Sequence, residues 1–396
     1  MEDFEFHSPT KVLFGKGAET RVGAEIASRG FHRVLVHFGG TYLAETGVLD
    51  RIHQSLTDAG LSYLDLGGVV PNPRLSHAKE GVALCKKEGV DFILGVGGGS
   101  AIDSAKAIAY GLANEFDLED LFLGKVKTDK IAPIGCITTI AATGSETSNS
   151  TVVTIETKEQ GILKRSYNHD CARPLFAVMN PELTYTLPTY QTSSGAADIM
   201  MHTMERYITQ AKNVELSDRI SEGLLITVRD AAFKVLKNPQ DYEARANLMW
   251  AGSLSHNGLT GTGRINDFPV HKLGHELSAM FDATHGASLT ATWGSWARTV
   301  YKSNPARFAR FAVEVFGVEL NYDDLEETAL AGIDAWDDWC VKIGMPITIT
   351  DLLGFTPTEA QIDEMAEKAA ATGGGVIGLF HRLDKQDLIA IYKKAL

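Results

Sequence analysis

DFILGVGGGSAIDSAKAIAYGLA, residues 91–113, reads as a short buried strand, a glycine loop and a helix in direct succession. The apolar run at 91–96 has strand length, and Gly97, Gly98, Gly99 and Ser100 turn the chain into the helix that follows. A helix start presents unpaired N–H groups and the positive end of the macrodipole. Glycines let a phosphate approach those groups, so strand, glycine loop and helix form a natural anion site. The string is not the G-x-G-x-x-G fingerprint, because Ser100 stands where the last glycine would be and the motif comes third in strand order. Ser100 and Asp103 also satisfy a capping-box spacing, so a plain capped turn is the competing explanation.

Working outward, the same alternation recurs. Residues 33–38 (RVLVHF) and 62–66 (SYLDL) read as strands, with helices at 42–59 and 75–88. Apolar runs at 131–138 and 175–179 complete the set before a turn-rich boundary, NPELTYTLP, at 180–188. Strands alternating with helices predict a parallel sheet covered on both faces. Two more loops of small residues follow strands: Gly39-Gly40-Thr41, and the segment 138–146 with Thr138, Thr139, Thr143 and Ser145. Three such loops after three strands suit a pyrophosphate and its sugars better than they suit three unrelated turns.

Beyond Pro188 the period changes to that of helices, at 189–211, 214–236, 241–257, 267–281, 287–301, 305–316, 324–343 and 357–372. The expected organisation is an α/β dinucleotide-binding domain at 1–187 and an all-helical metal-binding and substrate domain at 188–396, with a cleft between them. A length of 396 residues is roughly two to three domains' worth.

Composition narrows the function. With 37 Lys+Arg against 50 Asp+Glu the net charge is −13, and no basic run supplies a nucleic-acid footprint. No apolar stretch reaches the roughly 18 residues of a membrane span. The acidic N-terminus lacks a signal peptide's apolar region, and Cys85, Cys136, Cys171 and Cys340 are widely spaced, which suits a reduced cytoplasmic setting. Glycine, at 38 residues, exceeds the usual share, consistent with the loops above.

Asp198 and His202 stand four apart in GAADIMMHTMERY, on one face of a predicted helix. His271 and His275 repeat that spacing in FPVHKLGHELSAM, and His285 follows in ATHGAS. Carboxylate and imidazole together suit Fe²⁺ or Zn²⁺ better than Ca²⁺. Polar groups in apolar helices need partners, and a shared ion would supply one. Spacing alone leaves open which of these histidines bind it. The others, His256 and His37 among them, have no partner at helical spacing and are expected to be structural or exposed.

GGGSAIDSAK (97–106), TTIAATGSE (138–146), the 180–188 boundary, GAADIMMHTMERY (195–207) and HKLGHELSAMFDATHG (271–286) occur in an order that resembles the iron-containing, metal-dependent alcohol dehydrogenase family. The likeness runs over nearly the whole chain and is strongest to the butanol-dehydrogenase-like, aldehyde-reducing branch. It implies a Rossmann-like α/β domain plus a helical domain, in the architecture shared with dehydroquinate synthase. It assigns metal ligation to Asp198, His202, His271 and His285, and moves His275 to the substrate and nicotinamide side. Gly97, Gly98, Gly99, Ser100 and Asp103 would meet the pyrophosphate and neighbouring groups, Thr138, Thr139 and Thr143 the same groove, with Asn72 and Lys164 beside the nucleotide. Without the resemblance, Lys164 reads as a solvated surface charge. Gly39, Gly40 and Thr41 stand where NAD-preferring members carry an acidic residue, which favours NADP(H) over NAD(H). Asn180 departs from the family's usual Asp.

The implied reaction is reversible hydride transfer between NADP(H) and a primary alcohol or aldehyde, with one Fe²⁺ or Zn²⁺ as Lewis acid on the substrate oxygen. A homodimer is expected from resemblance and base rate. A dehydroquinate synthase-like lyase would need several cations for its anionic substrate, whereas the segments at 199–204, 268–277 and 290–297 are apolar. A glycerol dehydrogenase-like polyol oxidoreductase is the nearer alternative, with fewer histidines expected around its metal.

Overall fold

A computed structural model describes residues 1–158 and 161–396. These form two compact units, one of His7–Leu187 and one of Pro188–Leu396 together with Met1–Phe6.

The first unit is built on strands β1 (Lys11–Phe14), β2 (Arg33–Gly39), β3 (Ser62–Val69), β4 (Phe92–Gly97), β5 (Ile134–Thr138), β6 (Ser150–Thr157), β7 (Gly161–Asn168) and β8 (Phe176–Met179). Its helices are α1 (Val22–Ala27), α2 (Tyr42–Glu45), α3 (Val48–Asp58), α4 (Leu75–Glu88), α5 (Gly99–Ala113) and α6 (Leu118–Phe122). Among the described residues one sheet has six strands in the order β1-β8-β5-β4-β2-β3, every pair parallel. Every residue of β4 and β5 is buried, because helices cover both faces of a parallel sheet. Side chains alternate between those faces. Val34, Val36 and Leu94 pack with Ile26 of α1 and Ile52 of α3, while Leu35 and Ile93 pack with Ile108 and Tyr110 of α5.

Three sequence expectations need correction here. The helix expected at 42–59 is two, α2 and α3, parted at Gly47, whose φ of 68° is a left-handed conformation open to glycine. Strand β1 on the sheet edge, and the antiparallel pair β6–β7, were not anticipated; β6 and β7 form a separate two-stranded sheet. Asp103 does not cap α5: the N-cap is Gly98, and no side chain caps that helix.

The second unit contains helices α7 (Thr189–Tyr207), α8 (Glu215–Lys237), α9 (Tyr242–His256), α10 (Pro269–Phe281), α11 (His285–Val300), α12 (Pro305–Phe316), α13 (Leu325–Lys342), α14 (Ile349–Leu353), α15 (Glu359–Ala371) and α16 (Lys385–Lys394). It is not wholly helical, since β9 (Val376–Ile377) and β10 (Leu383–Asp384) form a short antiparallel ladder. Helix α7 is buried all round from Thr192 to Tyr207 and packs against α8, α9 and α11, so it is the central helix of the unit. The first residues lie with this unit: the Met1 amino group donates to the Lys212 carbonyl at 2.7 Å and Glu2 N–H to the Gly263 carbonyl at 2.8 Å. Among the described residues no helix is long and apolar enough to cross a membrane.

Candidate active site

At the carboxyl edge of the sheet, β2, β4 and β5 end level with one another, with Phe38 opposite Val96 and Gly97 opposite Thr138. The chain leaves β2 toward β3 on one side and β4 toward β5 on the other, which makes the β2/β4 edge a topological switch point, the usual ligand crevice of open α/β sheets. Gly39, Gly40 and Thr41 lie on one side of it and Gly97 to Ser100 on the other. Gly97 has φ +146°, and a Cβ on Gly99 would lie 2.4 Å from Thr143 Oγ1 and one on Gly98 2.8 Å from Ile140 Cδ1. The glycine loop is therefore packed against the 140–143 segment with no space for side chains, and it leads into a 15-residue helix that no side chain caps. That combination fits a phosphate group.

Several polar residues of this unit hold the loops in place. Asp103, its carboxyl pushed up by burial against the opposing charge of Lys106, accepts from Ser145 Oγ at 2.6 Å and from Val152 N–H at 3.1 Å. Fully buried Lys106, lowered to about 8 by burial, donates to the carbonyls of Ser145, Ser148 and Ser150 at 2.8, 3.0 and 2.8 Å. Thr138 Oγ1 donates to the Ile140 carbonyl, Thr139 shares a 2.6 Å bond with the Tyr42 hydroxyl, and Thr143 Oγ1 accepts from Ser145 N–H. Thr138 and Thr139 are buried, whereas Ser100 and Thr143 are half-buried at the loop surface. Lys164, which the resemblance set beside the nucleotide and which would otherwise read as a solvated charge, is buried on β7 and donates to Asn72 Oδ1 at 2.9 Å. Asn180 also finds an explanation: its amide donates to the buried Glu19 carboxylate at 2.9 Å, where an aspartate would set two carboxylates together.

In the helical unit, Asp198 and His202 sit one turn apart on the central helix α7. Two close approaches bring the other elements in. A Cβ on Gly286 would lie 2.1 Å from the Ser194 carbonyl, so α11 lies hard against α7, and one on Gly274 would lie 2.8 Å from Leu289 Cδ2, so α10 lies hard against α11. The result is a convergence on one oxygen. Asp198 Oδ1 is 3.2 Å from His202 Nδ1, 3.7 Å from His271 Nε2 and 3.7 Å from His285 Nε2. Ligand atoms of Asp198, His202 and His271 all lie within 4.8 Å of one another, and all three residues are buried. His285, more open, is the first residue of α11. His275 takes no place in this convergence; its ring centroid is 5.4 Å from that of His285 and 6.3 Å from that of His271.

The electrostatics differ from ring to ring. Burial pushes His202 down to about 3, against the pull of Asp198, and so keeps it neutral. Burial also works against protonation of His271, yet the Glu205 and Asp198 carboxylates carry it up to about 9. His271 Nε2 is buried and makes no hydrogen bond in the protein. A carboxylate and three imidazoles with an unsatisfied ring nitrogen facing the shared oxygen fit a divalent ion of the Fe²⁺ or Zn²⁺ kind.

Three residues of this region escaped the sequence reading. Glu205 of α7 contacts His271 Nδ1 and accepts from Val270 N–H at 2.6 Å. Its signal was faint: a carboxylate three residues past His202, on the same buried helix. Arg206 donates to the carbonyls of His202 and Ser255 at 2.8 and 2.9 Å and lies over the Phe268 ring. His256, expected to be structural or exposed, lies with its ring 4.1 Å from that of His202 and its Nδ1 3.1 Å from Arg206 Nη2.

Comparison with known proteins agrees with this picture over both units. Residues 9–181 match the family described as iron-containing alcohol dehydrogenase, and residues 192–396 match its C-terminal domain. The chain is 36% identical to a probable NADH-dependent butanol dehydrogenase of Bacillus subtilis over the full length of both. It is 34% identical to an NADPH-dependent aldehyde reductase of Escherichia coli, over 89% of each chain. The solved structure of an NADH-dependent butanol dehydrogenase from Thermotoga maritima superposes with a TM-score of 0.94 at 37% identity, covering 100% of this chain and 99% of that one.

Proposed function

The chain belongs to the iron-containing alcohol dehydrogenase family, and from that premise we propose that it interconverts small primary alcohols and aldehydes, of the butanol and butanal kind, using one divalent metal and NADP(H). Oxidoreductase chemistry with a nicotinamide cofactor and a divalent metal is what the family implies. The observation that supports the metal-dependent part of this reading is the approach of the His202, His271 and His285 rings to Asp198 Oδ1, His202 Nδ1 lying also 3.0 Å from the Asp198 carbonyl.

In this reading Asp198, His202, His271 and His285 hold the ion. When bound, the ion supplies Lewis acidity toward the substrate oxygen, and the nicotinamide supplies or takes the hydride. The residues do the rest. Gly97, Gly98, Gly99 and the open first turn of α5 bind the pyrophosphate, with Asp103 and Lys106 fixing the loop opposite. Asn72 and Lys164 support the nucleotide from the β7 side. Phe268, with its ring 5.3 Å from that of His271 and 6.4 Å from that of His202, sets an apolar group beside the metal ligands, which favours an uncharged substrate. His275, next to His285 but outside the ligand set, holds and relays the proton.

The cofactor preference rests on Gly39-Gly40-Thr41 at the end of β2, where no carboxylate stands to repel a 2′-phosphate. Of the similar enzymes two are named for NADH and one for NADPH; the absence of a carboxylate at 39–41 is what leads us to expect slower turnover with NADH. We further propose a homodimer. The test follows nicotinamide absorbance with butanal and a series of shorter and longer aldehydes, on metal-loaded enzyme with each nucleotide. Faster turnover with NADPH, highest for uncharged aldehydes, supports the reading. Turnover favouring NADH overturns the cofactor assignment, and none with any aldehyde overturns the reaction.

A further inference from the structure

We propose that Glu205 is a positioning residue that sets the ring of His271 for metal binding; this rests on the metal-centre reading above. Glu205 is buried on α7, seven residues after Asp198 and three after His202, so one helix carries two ligands and the group that orients a third.

Its carboxylate is held from two directions. It accepts the backbone N–H of Val270 at 2.6 Å and that of His271 at 3.3 Å, which closes the first turn of α10 from outside, where Phe268 at the N-cap gives no side-chain bond. So anchored, it contacts His271 Nδ1. The ionised carboxylate only accepts, so Nδ1 keeps its proton, and when an ion displaces the other proton the lone pair of His271 is the one on Nε2. Nε2 is the buried, unbonded atom 3.7 Å from Asp198 Oδ1. The ring is thereby fixed in both tautomer and rotation, with its free nitrogen on the shared oxygen. Carboxylate partners of this kind orient imidazole ligands and raise their basicity. The bland alternative is that Glu205 only caps α10 and ties it to α7.

The two roles separate in metal affinity. Purified Glu205→Gln, which keeps an acceptor but loses the charge, is stripped with chelator and titrated with Co²⁺ in competition with a chelating dye, beside wild type. Positioning predicts roughly 10- to 100-fold weaker Co²⁺ binding, with nucleotide binding and the melting temperature of the stripped form unchanged. Glu205→Ala is expected to weaken binding further; if it fails to fold, Glu205→Gln still decides. Co²⁺ affinity equal to wild type, whether or not the stripped form melts earlier, overturns the proposal and leaves Glu205 as a cap alone. Wild type that binds no Co²⁺ overturns the metal centre itself, and this inference with it.

Discussion

The carboxyl edge of the sheet and the histidine cluster of the helical unit are built on opposite plans. At the sheet edge the candidate site consists of missing side chains: glycines expose backbone, and buried Asp103 and Lys106 bond to the 145–148 loop and the start of β6. In the helical unit it consists of side chains that would be costly to bury alone, brought onto one oxygen by helices that touch at Gly274 and Gly286. The first plan fails when atoms are added and the second when they are removed. Damage to each should also stay in its own unit.

The largest expected effect is at the cluster. His271→Ala removes the ring whose Nε2 faces Asp198, so metal content and turnover should fall together, turnover by roughly a thousandfold or more. Nucleotide affinity, measured by fluorescence titration, should stay at the wild-type value. Retained metal in this variant would break the comparison at its strongest point.

Next is Lys106→Met. It leaves the buried carbonyls of Ser145 and Ser148 and the half-buried one of Ser150 without their donor. Denaturant unfolding should show a loss of about 3 kcal/mol, and metal content should not change. A loss within error of zero would mean the segment holds itself.

Gly99→Ala tests the steric plan directly, since the added Cβ meets Thr143 Oγ1 at 2.4 Å. Overpacking of this kind costs about 1–3 kcal/mol, so KM for the nucleotide should rise about tenfold. Adding Thr143→Ala should recover part of that. Equal KM in single variant and wild type would separate the loop from nucleotide binding.

The smallest effect is in pH dependence. His37 is buried under the β2 end, with Nδ1 on the Leu66 carbonyl and Nε2 on Ser104 Oγ, and burial lowers it from 6.5 to about 4. The unfolded chain therefore binds a proton that the folded one refuses. The contribution is whole above pH 6.5 and is lost as pH falls toward 4, amounting to roughly 1 kcal/mol near pH 5.5. His37→Gln should flatten that part of the acid limb in thermal melts, and an unchanged slope would show that His37 titrates normally.

Much of this architecture was legible in the sequence because it depends on local period. Strand, glycine loop and helix at 91–113 are adjacent in the chain, and the pairs Asp198/His202 and His271/His275 show as helical spacing. What stayed hidden depends on contacts between distant segments. Glu205 meets Val270 across 65 positions and Asn180 meets Glu19 across 161. The β6–β7 pair has weak alternation, with Lys164 and Arg165 side by side in β7, and only the pairing reveals it. Gly47 breaks the helix expected at 42–59 because its left-handed φ is invisible to hydrophobic period.

The most direct test of the account is one titration on chelator-stripped enzyme, following turnover of butanal with NADPH and nucleotide affinity as Fe²⁺ or Zn²⁺ is added back. Turnover should be absent at the start and rise to saturate at one ion per chain, while nucleotide affinity does not move. Turnover in the stripped enzyme, or nucleotide binding that appears only with the metal, would contradict it.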